Sequence, residues 1–519
     1  MNLDLKMRFI PFLILFASLL KADTTRPNFL FAISDDQSYP HASAYGAKEI
    51  ETPAFDRVAS MGVLFHNAFV AAPQCSPNRA AILTGQEIWR LEEAGTHGSY
   101  FPSKFPVFTR RLEDAGYHVG YTGKPWSPGN WKDAGWDRNP VGTAYAERQL
   151  EAPTTGIKSN DYAANFMDFL KARKGDEPFF FWYGSSEPHL AYEYGSGRRA
   201  GKSLDEASPP PFLPDSEATR NDYLDYALEI EWFDRHLGQM IDALESMGEL
   251  ENTVIIVTSD NGMPFPYAKA NLQEYGIHVP LAIAGPSLFS GGRVSESIVS
   301  HVDFAPSILE LAGIESLPDA TGISLVPYLK NGDARRSYAL AGRERHTHAR
   351  PENLGYPARA IRTEDYLYIW NLKPERWPAG NPIPEGLSDA QLDGSFSLKY
   401  KGFSGGFEDI DGSATKKDFL RSSAEHPDLI HLATGKRPEH QLYKVSEDPW
   451  CLNDLSRNPN YAEVLEELSG LLRGELEAKN DPRMGENGAI FESYPRFGGM
   501  RPFPGFSEQG EYNPDYIDE

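Results

Sequence analysis

Cysteine is nearly absent: Cys75 and Cys451 are the only two in 519 residues. No disulfide framework can hold such a chain together. The two cysteines either form one long bridge or are unrelated, with Cys75 kept for chemistry. Basic residues are also few, 50 Lys and Arg against 74 Asp and Glu, for a net charge of −24. That argues against nucleic-acid binding, which needs a surface that neutralises phosphate. It also means that any anionic substrate needs a local basic island in an acidic field. After the first twenty or so residues no segment is long and apolar enough to span a bilayer. No internal repeat is visible, which excludes a repeat architecture.

What is present supports a large fold. Hydrophobic residues make up 40% and aromatic residues 12% of the chain, enough for a substantial core. The length implies more than one domain. At the N-terminus Lys6 and Arg8 precede an apolar run over 9–20. This has the layout of a signal peptide cleaved near Ala22, and predicts a periplasmic or secreted protein. A membrane anchor is the alternative. No cysteine follows the run, so a lipid anchor is not expected.

From 28 to about 330, apolar strands alternate with amphipathic segments, which predicts an α/β fold with a mostly parallel sheet. Strands are expected over 28–33, 119–121, 179–183, 253–258 and 279–284. Helices are expected over 222–247 and 303–312. The pattern changes near 331–336. The expected organisation is a signal peptide at 1–22, a catalytic domain at 23–335, a smaller α+β domain at 336–483 and a surface-wrapping tail at 484–519. The smaller domain should hold strands over 366–370 and 441–445 and a helix over 461–477.

Ligands of open α/β sheets bind outside the carboxyl ends of the strands. The first strand ends in Asp35 and Asp36, and the 253–258 strand in Asp260 and Asn261. These oxygen-bearing side chains suit a hard cation, and calcium's loose geometry better than magnesium's strict octahedron. Each pair alone is also an ordinary turn sequence. In the segment from Cys75 to Gly85, Pro77 suits a first helical turn and places Cys75 at a helix N-terminus, which favours an anion. Arg79, one turn in, can point at the same place.

Cys75, Pro77 and Arg79 followed by Leu83, Thr84 and Gly85 resemble the signature of formylglycine-dependent sulfatases. The resemblance extends to Asp35, Asp36, Asp260 and Asn261, which match the family's calcium ligands with residue 75 as a further one. It extends also to Gly123 and Lys124 and to the 441–449 stretch. It covers nearly the whole mature chain and implies an alkaline-phosphatase-like fold. Residues 258–266 and 343–362 look like the heparan N-sulfatase (sulfamidase) branch.

The resemblance implies a mechanism. Cys75 is oxidised to formylglycine by a formylglycine-generating maturation enzyme. One hydroxyl of the hydrated aldehyde attacks sulfur, and the other drives collapse and sulfate release. Calcium lowers the pKa of the attacking hydroxyl and neutralises sulfate oxygens, and Asp260 is the candidate base. Arg79, Lys124 and Lys269 stabilise transferring charge, and His189 is the general acid. Lys124 and Lys269 also read as surface lysines, and His189 as a structural hydrogen-bonding residue. Most of the family carries a histidine two residues after the Gly-Lys lysine, where this chain has Trp126. His97 or His278 is the expected substitute. Arg343, His346 and His348, in a basic stretch of an acidic chain, are expected to contact an anionic sugar.

The implied substrate is a sulfated polysaccharide or oligosaccharide, O-sulfated or N-sulfated on glucosamine. Two rival readings are a phosphoesterase of the same superfamily and an inactive carbohydrate-binding relative. Peptide mass mapping of protein co-expressed with the maturation enzyme is expected to find residue 75 without its sulfur and Cys451 still a thiol.

Overall fold

The computed structural model describes residues 26–332, 336–350, 354–382 and 406–497, and the backbone of 392–393 and 397–398. The expected signal peptide, the boundary at 335 and the tail beyond 497 lie outside the described residues.

The core is an eight-stranded sheet. Its strands are β1 (Asn28–Ser34), β2 (Gly62–Phe69), β3 (His118–Gly123), β4 (Thr143–Ala144), β5 (Phe179–Gly184), β6 (Thr253–Ser259), β7 (Leu281–Ala284) and β8 (Arg293–Ser300). They run in the order β4-β3-β5-β1-β6-β7-β2-β8. All neighbours are parallel except that β7 is antiparallel to β6 and β2. Every residue of β1, β5 and β6 is buried, as continuous apolar runs covered on both faces must be. β1 sits between β5 and β6, so the chain leaves β1 to either side. The crevice beyond its carboxyl end is where such sheets bind ligands.

Helices cover both faces. The helix Glu217–Ser246 starts at Ser216, whose side chain accepts from Thr219 N. It packs Phe233, Leu237, Met240, Ile241 and Leu244 against one face of the sheet. On the opposite face, Ala80, Ile82 and Leu83 of the helix Cys75–Thr84 pack with Phe31, Trp182 and Phe304.

A second sheet is antiparallel, with β9 (Tyr338–Arg343), β10 (Ala358–Thr363), β11 (Tyr366–Asn371) and β14 (His440–Lys444) in the order β14-β11-β10-β9. The pair β12 (Leu392–Asp393) and β13 (Ser397–Leu398) stands apart as a two-stranded ladder. The helix Ala462–Ala478 lies against the second sheet through Leu468, Leu472 and Leu476. The two sheets share one apolar layer, in which Phe69 and Tyr226 meet Ala360 and Leu367. Across it the Arg362 guanidinium binds Glu274 (2.7 Å). The tail turns inward as well: Phe491 and Tyr494 are buried, and Arg345 donates to the Tyr494 and Pro495 carbonyls.

Most expected elements form, with shifted ends. The strand expected over 279–284 begins at Leu281, after Pro280, which has no N–H to give a ladder. The helix expected from 303 begins at Phe304, preceded by a 3-10 turn over His301–Asp303. Strands β2, β4, β8, β9, β10, β12 and β13 were not expected. β8 is an edge strand that exposes Val294 and Glu296 and buries Ser295 and Ser300, so its apolar and polar residues do not follow its faces. Both cysteines are buried and free, so no bridge forms.

A Cβ on Gly62 would lie 1.9 Å from the Ile283 carbonyl oxygen. Gly62→Ala is expected to lower stability by about 1–3 kcal/mol, the usual cost of overpacking, measured by chemical denaturation.

Candidate active site

The polar groups after β1 and β6 meet the start of the Cys75 helix. Cys75 Sγ lies 3.5 Å from Asp35 Oδ1 and 3.9 Å from Asp36 Oδ1. Ligand atoms of Asp35, Asp36, Cys75 and Asp260 all lie within 4.8 Å of one another, and all four residues are buried. Asp36 takes a left-handed backbone, φ 75°, and its N–H donates to Asp260 Oδ1 (3.1 Å). This turn aims two successive carboxylates at one point. Asn261 donates from Nδ2 to Asp36 Oδ1 (2.7 Å). Its Oδ1 is buried with no hydrogen-bond partner. A buried acceptor left over beside three carboxylates is the chemistry of a hard-cation site, so the donors fit a divalent ion such as calcium.

Three cations surround the carboxylates. Arg79 Nε binds Asp260 Oδ2 (2.7 Å), and Nη1 donates to the Lys124 carbonyl (2.8 Å). Lys124 Nζ binds Asp35 Oδ2 (2.5 Å). Lys269 Nζ binds Asp36 Oδ2 (2.7 Å), His189 Nε2 (3.0 Å) and Asp411 Oδ2 (3.1 Å). The three cations are gathered as an anionic substrate requires, but each is paired with a carboxylate, so the side chains alone form no basic island. His189 Nδ1 lies 2.5 Å from the Leu190 carbonyl and so carries the proton there, which leaves Nε2 to accept from Lys269. His189 and Lys124 keep part of their side chains in solvent, 34% and 14%, which marks the open side of the site.

Burial raises Asp36 and Asp260 above the usual carboxylate range, against the pull of Lys269 and Arg79 respectively. Burial acts the same way on Asp35, but Lys124, with His189, Arg79 and Lys269, outweighs it and holds Asp35 low. Burial lowers His189 to about 4, helped by Lys269. The Cys75 thiol is pushed well up by burial, against Lys124. As a thiol, Cys75 is therefore protonated and weakly nucleophilic.

The sequence-derived residues converge unevenly. Cys75, Arg79, Lys124, His189, Lys269, Asp35, Asp36, Asp260 and Asn261 form one cluster. His278 is not in it: Nδ1 faces Glu274 (3.0 Å), Nε2 the His66 carbonyl (2.7 Å), and the ring stacks on Tyr39. His97 is adjacent. Its Nδ1 faces the His346 carbonyl (2.9 Å), its ring lies 4.6 Å from that of His346, and Lys269 and Lys124 act on its charge. Trp126 is buried and donates from Nε1 to the Ser76 carbonyl (3.0 Å).

Arg343, His346 and His348 are all buried. Arg343 binds the Pro378 carbonyl (2.7 Å) and Asp409 (2.9 Å). His346 Nδ1 lies 3.5 Å from the same aspartate. They form a polar layer behind His97. Sequence reasoning missed Asp409 and Asp411, whose only signal is a pair of alternate aspartates after a Gly-rich stretch. It also missed Asn78, inside the motif, which donates to the Asp260 carbonyl (2.6 Å).

Buried carboxylates ringed by Arg79, Lys124 and Lys269 beyond the carboxyl ends of a mostly parallel sheet are an arrangement that suits a hydrolase of anionic esters. The sequence model of the sulfatase family matches residues 27–314, and the chain belongs to that family, as a sulfuric ester hydrolase. A second model, N-sulphoglucosamine sulphohydrolase, C-terminal, matches residues 265–377. Human N-sulphoglucosamine sulphohydrolase is 27% identical over 85% of this chain and 88% of its own length. An ulvan-active sulfatase of Formosa agariphila is 24% identical over 85% and 73%. Among solved structures, one in complex with its substrate D-glucosamine-2-N,6-O-disulfate aligns with TM-score 0.63 at 20% identity, over 89% of this chain and 100% of that one. A 2-O GAG sulfatase aligns with TM-score 0.60 at 19% identity, over 88% and 93%. These structures share the fold.

Trp126→Phe keeps a ring in place and removes the indole bond to the Ser76 carbonyl, which keeps its place in the ladder of the helix Cys75–Thr84. It is expected to cost about 0.5–1.5 kcal/mol of stability, the net worth of one hydrogen bond, read from denaturation midpoints.

Proposed function

We propose that this chain is an exported enzyme that removes sulfate from a sulfated saccharide, using a formylglycine made from Cys75 and one calcium ion. The observation that carries this reading is the convergence on Cys75 Sγ of three carboxylates held by Arg79, Lys124 and Lys269. A neutral, buried thiol is a poor catalyst for sulfate transfer, which favours its conversion. Asp35, Asp36, Asp260 and Asn261 would hold the ion, with residue 75 as a further ligand. Calcium supplies fixed positive charge against the sulfate oxygens, and formylglycine supplies a hydrated-aldehyde hydroxyl as nucleophile.

The chain's own residues do the rest. Arg79, through its Asp260 and Lys124 contacts, is held rigidly beside the reacting group and adds charge without reorganisation. Lys124 and Lys269, freed from sole pairing with Asp35 and Asp36, neutralise charge that develops on the transferring group. Asp260 Oδ1 takes the nucleophile's proton. The leaving oxygen takes a proton from the His189–Lys269 pair: the Lys269 ammonium gives its proton to His189 Nε2, which passes it to the oxygen, and Lys269 is left as the neutral amine. His97 is the candidate for the second base in place of the histidine that Trp126 replaces: with Nδ1–H on the His346 carbonyl, Nε2 would carry the lone pair. Arg343 and His346, buried and tied to Asp409, and the buried His348 would act on an anionic sugar only indirectly, by supporting the side chains that line its site.

Relatives named for glucosamine sulfates and for ulvan support a glycan substrate. The N-sulphoglucosamine sulphohydrolase match over 265–377 favours removal of N-sulfate as the second reading. Export rests on the 1–22 segment, and among the described residues no helix is long and apolar enough to cross a membrane.

Protein co-expressed with a formylglycine-generating enzyme should release sulfate from one member of a panel of N-sulfoglucosamine, heparin oligosaccharides, ulvan, carrageenan and fucoidan fragments. Cys75→Ala should release none. Release by that variant, or by none of the panel with residue 75 fully converted, argues against the proposal. Calcium at a hundred times its dissociation constant should stabilise the protein by about 2.7 kcal/mol, and Asp36→Asn should lose that response.

A further inference from the structure

The loop that carries His189 is held from beneath by a carboxylate that plays no part in the chemistry above. Glu187 is buried, 1% exposed. Its Oε1 accepts from Lys158 N (2.8 Å), and its Oε2 from Tyr162 Oη (2.8 Å) and Ser185 Oγ (2.5 Å). Its own N–H donates to Ser185 Oγ (3.1 Å). Its carbonyl accepts from Asp35 N (3.0 Å). One residue thus touches the end of β5, the start of the helix Tyr162–Ala172, the loop at 158 and the backbone of Asp35. Two residues later the chain presents His189, whose N–H donates to the Ser186 carbonyl (3.2 Å). Tyr162 Oη closes the set by accepting from Ser186 N (3.2 Å).

The main chain of Glu187 thus links the nucleophile side to the leaving-group side through the Asp35 N–H, and its carboxylate anchors that stretch of chain to Lys158, Tyr162 and Ser185. In-line displacement needs the spacing between the two sides fixed to a fraction of an ångström. Among the described residues no cation is hydrogen-bonded to Glu187. All three partners are neutral donors, which orient a carboxylate directionally rather than by charge. Asp35 is held twice, by Lys124 on its side chain and by Glu187 on its backbone. On the leaving-group side, His189 has one side-chain anchor of the same kind, Lys269 Nζ.

We propose that Glu187 is a positioning residue for leaving-group protonation: its carboxylate, clasped by Lys158 N, Tyr162 Oη and Ser185 Oγ, fixes the His189 loop relative to Asp35. The proposal rests on the reading of the His189–Lys269 pair as the proton source. A residue that only stabilised the fold would lower turnover of every substrate alike. A residue that places the proton donor matters most when the leaving group is a poor one.

The test uses the full-length matured enzyme and two substrates, the sugar sulfate found in the panel and 4-nitrophenyl sulfate, whose leaving group needs no proton. The quantity read is the ratio of kcat/KM for the two. Glu187→Gln turns one acceptor oxygen into a donor facing Tyr162 and Ser185. It is expected to shift the ratio against the sugar ester on the order of 100-fold. Tyr162→Phe should shift it less and in the same direction, and carries the test if the first variant fails to fold. His189→Ala should shift it at least as far as Glu187→Gln. A shift in His189→Ala with none in the Glu187 and Tyr162 variants overturns the role of Glu187 alone. No shift in His189→Ala overturns the protonation reading and the proposal with it.

Discussion

The structure depends on one electrostatic constraint: three carboxylates are buried within reach of one another at the ends of β1 and β6. Two like charges 4 Å apart repel by about 4 kcal/mol at an effective dielectric of 20, and burial adds a desolvation penalty for each. Arg79, Lys124 and Lys269 answer this, each on a different aspartate. The three cations come from three separate segments: a helix, a strand end and a loop. The carboxylates can therefore be buried only once the sheet has assembled around them.

Much of the surrounding architecture follows from that demand. Arg79 must enter from the first turn of a helix, so the Cys75 helix is buried over its full length. Its start is tied by Trp126 to the Ser76 carbonyl and by Ser76 Oγ to the Gly98 N–H. Lys269 needs a second carboxylate, and Asp411 reaches it from beyond the second sheet. The two sheets are thus joined through the site as well as through the Arg362–Glu274 pair and a shared apolar layer. Four carboxylates, Asp35, Asp36, Asp260 and Asp411, face three cations in the site, so its side chains carry no positive excess of their own.

The position of Trp126 shows what family resemblance can and cannot carry. The resemblance implies a histidine there. The structure instead has an indole packed against Phe101 and bonded to the backbone. Two substitutes were open in the sequence; both are buried, and their hydrogen bonds differ. Both nitrogens of His278 are taken by structural partners, whereas His97 is bound through one and lies against His346 beside the lysines.

The sequence by itself determined the strands of the central sheet that run as continuous apolar segments, because burial on both faces leaves a local mark. It also determined the cluster of Cys75, Arg79, Asp35, Asp36, Asp260 and Asn261, because these residues are packed into short motifs at strand and helix ends. Only the tertiary structure decided what depends on residues far apart in the chain. It reversed β7, left Cys75 and Cys451 as separate thiols, and brought Asp409 and Asp411 to the site. It directed Arg343 to Asp409 and gave Glu187 its place under the His189 loop. Such partners leave no periodicity and no motif, since a buried charge is satisfied by whatever the folded chain brings within hydrogen-bonding distance.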